Sequence, residues 1–553
     1  MARTPLLRRF QELVGDFKEA ERTGRSVESV QAERRQDRLS RRDFLKVTGA
    51  TVAAAALSGN ALTALAGTRR ASAQQGRIAI IGGGIAGLNA ALTLQDAGIG
   101  STVYETSGRV GGRMHSDTTS WLNGQTSEHC GELIDTGHTT ILSLAQRFNL
   151  ETVDLHAAEP PGSTETYFFG GRYYPATEAN EDFQPVYNRL VADNNAAPFP
   201  TLYNSFTEAG YDLDHMSLYQ WIETRVPGGH GSKLGQLLDV AYNIEYGNVT
   251  TEQSALNIVY LLFNTNQFVV FGASDERFHI KGGNERLPRA IAAALPSGSV
   301  KLNNKLTRIV HNADNTYTLT FQAPEGSVDR VVDRVVMTIP FSVLRTIVDD
   351  DADFRAAGFD TRKQTAINQL GYGKNAKLQL QFNDRLWDQH GPWGNSTGTS
   401  YADTGYQNGW DVTRAQTGGT GIMVDYTGGG VPLASFTGDA DDPQVVAQFA
   451  RTFLSQIEPV FPGISAQWNG RATLDVPLNN PFLLGSYSYW KVGQYTLFSG
   501  YEGARQPDPT TGKCHFAGEH CSTNFQGFME GGAEEGARAA NEILSDYKAG
   551  IFP

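Results

Sequence analysis

The run Arg77-Ile78-Ala79-Ile80-Ile81-Gly82-Gly83-Gly84-Ile85-Ala86-Gly87 decides how the chain is read. Its first half is an apolar stretch short enough for a buried parallel strand, and its second half spaces glycines as G-x-G-x-x-G at the strand's end. Leu88 to Ala97 continues with helical character, and Ser101-Thr102-Val103-Tyr104-Glu105 predicts a second strand ending in a carboxylate eighteen residues past Gly87. In that context Gly82 permits a tight turn, Gly84 lets backbone approach a pyrophosphate, and Gly87 lets the helix pack close. The helix N-terminus faces the phosphate charge, and Glu105 is placed to accept from ribose hydroxyls.

Around this fingerprint, 553 residues suggest two or three domains or one large interleaved body. Hydrophobic residues at 40% and charged residues at 19% exclude a disordered or coiled-coil chain. The net charge is −13, yet residues 1–73 hold 14 basic against 8 acidic side chains, so the acidity belongs to the body. An acidic body lacks the Lys/Arg footprint that phosphate binding needs, which excludes nucleic-acid partners. Cys130, Cys514 and Cys521 allow at most one disulfide. The pairs Cys514-His515 and His520-Cys521 are held apart by the strand end Phe516-Ala517-Gly518-Glu519, so no metal site is expected.

Ser40-Arg41-Arg42-Asp43-Phe44-Leu45-Lys46 precedes a stretch of small apolar residues, Val47 to Ala66, and then Ala71-Ser72-Ala73. Paired arginines, an Ala-rich apolar region and an A-x-A pattern read as a twin-arginine export signal cleaved after Ala73, with the export machinery as partner. The Ala, Gly, Ser and Thr content disfavours a permanent membrane anchor. That route carries folded proteins, which suits a chain that loads a cofactor before export. Leu6, Leu7, Phe10, Leu13, Val14 and Phe17 fall at helical spacing and predict a short amphipathic helix ahead of the signal.

Arg109-Val110-Gly111-Gly112-Arg113-Met114-His115-Ser116 follows the fingerprint, Gly282-Gly283-Asn284-Glu285-Arg286-Leu287-Pro288 lies in mid-chain, and Gly518-Glu519 leads to Gly527-Phe528-Met529-Glu530-Gly531-Gly532-Ala533 near the end. On these blocks, over about residues 77–545, the chain resembles the flavin amine oxidase family of monoamine, polyamine and L-amino-acid oxidases. The resemblance implies FAD as cofactor, with Arg113 along its phosphates and Gly518 and Glu519 at its ribityl and phosphate side. It implies further that Phe528 and Met529 begin a helix pointing at the flavin, and that Leu306 sits where backbone pairs with adenine. The implied fold is α/β: a discontinuous FAD-binding Rossmann-like domain (76–140, 275–345 and 505–547) interleaved with a mixed α+β substrate-binding domain (141–274 and 346–504). Thr139 to Phe148 and Leu234 to Tyr246 look helical, while Lys377 to Phe382 and Gly421 to Tyr426 look like strands.

The same resemblance makes Lys377 the lysine that reaches flavin N5 through a water. Gly485-Ser486-Tyr487 matches the segment where monoamine oxidases carry a flavin-linking cysteine before a cage tyrosine; Ser486 cannot form a thioether, so the FAD is expected to be non-covalent. Tyr487 and Phe528 would then wall the substrate with facing rings that exclude water. The arginine with which L-amino-acid oxidases hold the substrate carboxylate is absent, with Ile134 near its place and Glu132 beside it; Trp410 stands where a carboxylate-binding tyrosine is usual. Arg414 and Arg277 are the candidates for the missing charge.

Together these readings predict an exported, FAD-dependent oxidase that converts an L-amino acid with O₂ and water to a 2-oxo acid, ammonia and H₂O₂, with a homodimer implied by the family. A primary-amine or polyamine oxidase is the alternative, favoured by the missing arginine and the acidic body. A flavin dehydrogenase passing electrons to a carrier is a further rival, as is a flavoprotein serving only as a binding module.

Overall fold

A computed structural model describes residues 77–263 and 268–551; the export signal, its cleavage site and the leading amphipathic helix lie outside the described residues. The apolar run of the fingerprint forms the strand Ile78–Ile81 in the middle of a five-stranded parallel sheet. The strand order is Cys514–Phe516, Arg334–Met337, Ile78–Ile81, Thr102–Tyr104, Val300–Lys301. Ile78–Ile81 and Arg334–Met337 are buried along their whole length, as strands covered on both faces must be. The sheet therefore gathers residues from the start, middle and end of the body, the regions in which the cofactor blocks occur.

Helix Ile85–Asp96 leaves this sheet and packs against the C-terminal helix Met529–Lys548. Small residues set the approach: a Cβ on Gly536 would stand 2.1 Å from the Ala86 carbonyl oxygen, and Asn89 Nδ2 donates to the Ala533 carbonyl at 2.7 Å. Lys305–His311, Tyr317–Ala323 and Gly326–Val332 form an antiparallel meander whose middle strand alternates between buried and less buried positions. Two elements legible in the sequence are present nearby, the helices Thr139–Arg147 and Lys233–Tyr246. The latter starts at Ser232, whose hydroxyl caps the Gly235 N–H, and stops at Gly247 in the left-handed region.

The second sheet has seven strands, ordered Trp468–Asp475, Ala376–Phe382, Gly421–Thr427, Asn408–Asp411, Ser396–Ala402, Thr164–Phe169, Arg172–Tyr173. Pairing is antiparallel except between Ser396–Ala402 and Thr164–Phe169. Strand Ala376–Phe382 is buried throughout, yet reads apolar-polar by turns. Ala376, Leu378, Leu380 and Phe382 join one apolar core, while Lys377, Gln379 and Gln381 project from the opposite face, as the two-residue period of a strand demands. Segment 122–132 supplies acceptors to that polar face: Gln379 donates to the Glu128 carbonyl, and Gln381 to the Leu122 carbonyl and Gln125 Oε1. No helix among the described residues is long and apolar enough to cross a membrane.

The fingerprint glycines have separable tasks. A Cβ on Gly87 would stand 2.0 Å from the Gly82 carbonyl oxygen, whereas one on Gly84 would meet nothing within 4 Å. Gly87→Ala is expected to cost about 1–3 kcal/mol of stability. Gly84→Ala is expected to cost under about 1 kcal/mol but to leave the purified protein depleted of flavin. Thermal unfolding of the flavin-stripped proteins and flavin absorbance per chain check the two outcomes.

Candidate active site

A cavity of about 710 Å³ runs from the end of the parallel sheet to the seven-stranded sheet. Its first arm is lined by Gly82, Gly84, Glu105, Arg113, Leu306, Gly518, Glu519, Phe528 and Met529, which the sequence assigned to the cofactor. Gly87 is not among the lining residues and serves packing instead. The arm fits a dinucleotide: Gly82 turns at φ +110°, Gly84 leaves open space where a Cβ would project, and Ile85–Asp96 and Met529–Lys548 present their first turns to the cavity. Glu105 is held at its strand end by the N–H groups of Gly83 (2.7 Å) and Ser107 (2.8 Å).

Two charged residues of this arm do more than contact a cofactor. Arg113 Nη1 donates to the Ser486 carbonyl and to Glu519 Oε1, both at 2.8 Å, and among the described residues its other N–H groups have no hydrogen-bond partner. Glu519 also accepts from the Ser488 N–H (3.2 Å), Ser488 Oγ (2.6 Å) and Gly527 N–H (2.9 Å). Four bonds fill the acceptor capacity of one carboxylate. The Glu519 side chain is thus a brace joining Arg113, the 486–488 segment and Gly527, and only its backbone remains to meet a cofactor. Burial works against its charge, but Arg113 and these bonds hold the carboxyl below its ordinary range. Ser486, at the place of a linking cysteine, donates to Asn375 Oδ1 at 2.6 Å.

The second arm brings together Lys377, Trp410, Tyr487 and Phe528. Lys377 Nζ donates to Glu132 Oε2 (2.7 Å), the Cys130 carbonyl (2.8 Å) and, more weakly, the Glu128 carbonyl (3.4 Å). Three acceptors match the three hydrogens of an ammonium. Trp410 Nε1 donates to Glu132 Oε1 at 2.9 Å, so its N–H is not free for a substrate carboxylate. Tyr487 shares a 3.0 Å hydroxyl bond with Tyr426 and donates to the Ile244 carbonyl at 3.1 Å, whereas the Phe528 ring packs edge-on to His138. Both Tyr487 and Phe528 wall the cavity, but Tyr426 is the partner of Tyr487 that the sequence did not disclose.

The arginines considered for the missing charge are committed elsewhere. Arg414 lines the cavity, half-buried, and pairs with Glu159 at 2.9 Å. Arg277 pairs with Asp154 at 2.6 Å, is 41% exposed and does not line the cavity.

What the cavity does contain is carboxylates. Glu245, in the last turn of Lys233–Tyr246, and Glu276 both line it, and among the described residues neither has an ion-pair partner. Glu276 holds φ +45°, an unusual conformation for a residue with a Cβ, fixed where its N–H donates to Asp135 Oδ1 at 2.9 Å. Burial and the neighbouring Asp135 push Glu276 up to about 8, and burial with Glu276 and Asp135 raises Glu245 well above its usual range. Glu132 goes the other way: burial opposes its charge, but Lys377 and Trp410 hold it below the ordinary value. No local pattern marks Glu245 in its helix, and Glu276 was overlooked beside the more conspicuous Arg277.

The parallel sheet, the glycine turn and the two-armed cavity define a dinucleotide-dependent oxidoreductase. The chain belongs to the flavin containing amine oxidoreductases, whose family description matches residues 85–544, and its cofactor is FAD. A twin-arginine signal matches at residues 38–58, which supports export by that pathway. The chain is 24% identical to the nicotine dehydrogenase of Pseudomonas putida over 91% of its own length and 97% of the relative's. It is likewise 24% identical to an L-amino-acid oxidase of Siganus canaliculatus, over 84% and 85% of the two chains. In fold it is similar to putrescine oxidase solved with putrescine bound, with a TM-score of 0.68, 19% identity, and coverage of 85% of this chain and 99% of that one.

The raised Glu276 gives a pH signature. Between the ordinary carboxyl value of 4.5 and about 8 the native state keeps a proton that the unfolded chain releases, so stability falls as pH rises through that window. Glu276→Gln is expected to flatten this fall, measured as thermal unfolding from pH 5 to pH 8 without added amine.

Proposed function

We propose that this exported chain is an FAD-dependent oxidase of amines that carry a second cationic group, di- and polyamines foremost. The observation that carries the reading is the pair of cavity carboxylates Glu245 and Glu276, neither with an ion-pair partner among the described residues, in an arm whose own cations, Lys377 and Arg414, are already paired. A buried carboxylate without a partner is costly, and a ligand ammonium removes that cost.

Bound non-covalently, FAD supplies the hydride acceptor that O₂ then reoxidises. The chain's task is to present a C–H beside a neutral amine while it holds the rest of the substrate by its charge. Tyr426, Tyr487 and Phe528 surround the reacting end with ring surface, which keeps water out and favours the uncharged amine. The distal ammonium pairs with Glu276 and Glu245, which give up their protons as the cation arrives. Because Lys377 and Glu132 form a closed ion pair, that wall neither attracts nor repels the incoming cation strongly.

The L-amino-acid reading keeps one supporting observation, Arg414 at the cavity wall, and requires that residue to leave Glu159 for a substrate carboxylate. Anaerobic mixing of the holoenzyme with diamines, monoamines and L-amino acids, followed by flavin absorbance, separates the readings. Diamines are expected to bleach the flavin fastest; bleaching by L-amino acids alone would exclude the amine reading. The double substitution Glu245→Gln/Glu276→Gln is expected to raise the KM for a diamine by about 10- to 100-fold, the worth of one or two charged hydrogen bonds, and to change monoamine oxidation far less.

A further inference from the structure

Segment Cys130-Gly131-Glu132 crosses the cavity wall between Lys377 and Trp410. The two oxygens of Glu132 are taken by different donors: Oε2 accepts from the Lys377 ammonium at 2.7 Å and Oε1 from the Trp410 indole N–H at 2.9 Å. A cation on one oxygen and a neutral N–H on the other is a complete receptor for a small carboxylate. Its donors come from two strands of the seven-stranded sheet, Ala376–Phe382 and Asn408–Asp411, so they are fixed independently of Glu132. The backbone that delivers Glu132 is fixed in turn by Asn284 of the mid-chain block, whose Nδ2 donates to the carbonyls of Glu132 (2.7 Å) and Gly131 (3.1 Å).

We infer that Glu132 is a specificity-determining residue: its carboxylate occupies a carboxylate receptor made by Lys377 and Trp410 in the substrate arm, and so excludes substrates that carry a carboxylate beside the amine. The inference rests on the amine reading above. It gives a physical reason why a cavity with a lysine and an indole N–H on its wall does not take amino acids: the chain supplies the anion itself. Glu132 stays ionised because Lys377 and Trp410 outweigh its burial. A free carboxylate would have to displace a tethered one already in place, which carries the advantage of high effective concentration. The same wall, with Glu132 removed, offers an ammonium that has lost its charge partner and an N–H without an acceptor, a pair of donors that a small carboxylate matches.

Vacating the receptor tests this. Glu132→Ala and Glu132→Ser open the place, whereas Glu132→Gln removes the charge and keeps it filled. Sodium acetate is the probe, added to each holoenzyme while unfolding temperature and flavin absorbance are followed. Acetate is expected to raise the unfolding temperature of the two vacating variants and to perturb their flavin spectra, with little effect on wild type or Glu132→Gln. In the same variants the ratio of L-alanine to diamine rates of anaerobic flavin reduction is expected to rise by at least about tenfold, and to stay within about threefold of wild type in Glu132→Gln.

Equal acetate effects on all four proteins, or none on the vacating variants, would overturn the assignment, as would an unchanged substrate ratio. Loss of flavin from both vacating variants even with acetate present would also overturn it, because acetate should then refill the place. The acetate measurement needs no substrate, so it stands apart from the wild-type panel that tests the amine reading.

Discussion

One carboxylate carries the architecture of the site. Glu519 accepts four hydrogen bonds, from Arg113, from the Ser488 N–H and hydroxyl, and from the Gly527 N–H. These donors come from three segments, one of them more than three hundred residues before the other two, and each leads directly to a cavity wall: Arg113 to the cofactor arm, Ser488 to Tyr487, and Gly527 to Phe528 and the C-terminal helix. A buried charge must be matched by donors, so these segments can meet in only one register. That constraint turns a chain whose cofactor blocks are scattered along its length into a single cavity.

The cavity's second arm follows from an equally simple constraint, the two-residue period of strand Ala376–Phe382. With its apolar residues committed to a core, Lys377, Gln379 and Gln381 must point the other way, and segment 122–132 supplies the acceptors they need. Lys377 is thereby drawn into an ion pair with Glu132, and Trp410 closes the other side of the same carboxylate. The wall is electrically quiet. Glu245 and Glu276 are then the groups left to answer a substrate cation by releasing their protons, which is why charge on the substrate, more than its shape, is the expected basis of selection.

The parts legible in the sequence are those written as local patterns. Gly82, Gly84, Gly87 and Glu105 form a fingerprint because strand, turn and helix follow one another directly, with the turn glycines between Ile78–Ile81 and Ile85–Asp96 and Glu105 just past Thr102–Tyr104. Strand Ala376–Phe382 and helix Lys233–Tyr246 were likewise readable from period and caps. Pairing between distant side chains was not. Nothing near Lys377 in sequence announces Glu132, and nothing in Arg277 shows that it would turn outward to Asp154 while its neighbour Glu276, at positive φ, turned into the cavity. Which of two adjacent charged residues faces a site is decided by a backbone conformation set by Asp135, a contact spanning 141 positions.

The most direct measurement is calorimetric binding of a bis-trimethylammonium alkane, a dication whose nitrogens have no lone pair to support loss of hydride from the adjoining carbon, compared with tetramethylammonium at pH 7 in buffers of different ionisation enthalpy. With Glu276 pushed up to about 8, the dication is expected to bind more tightly than the monocation and to release on the order of one proton to the buffer. Equal affinities with no proton release would contradict a cation-selecting carboxylate pair in this cavity.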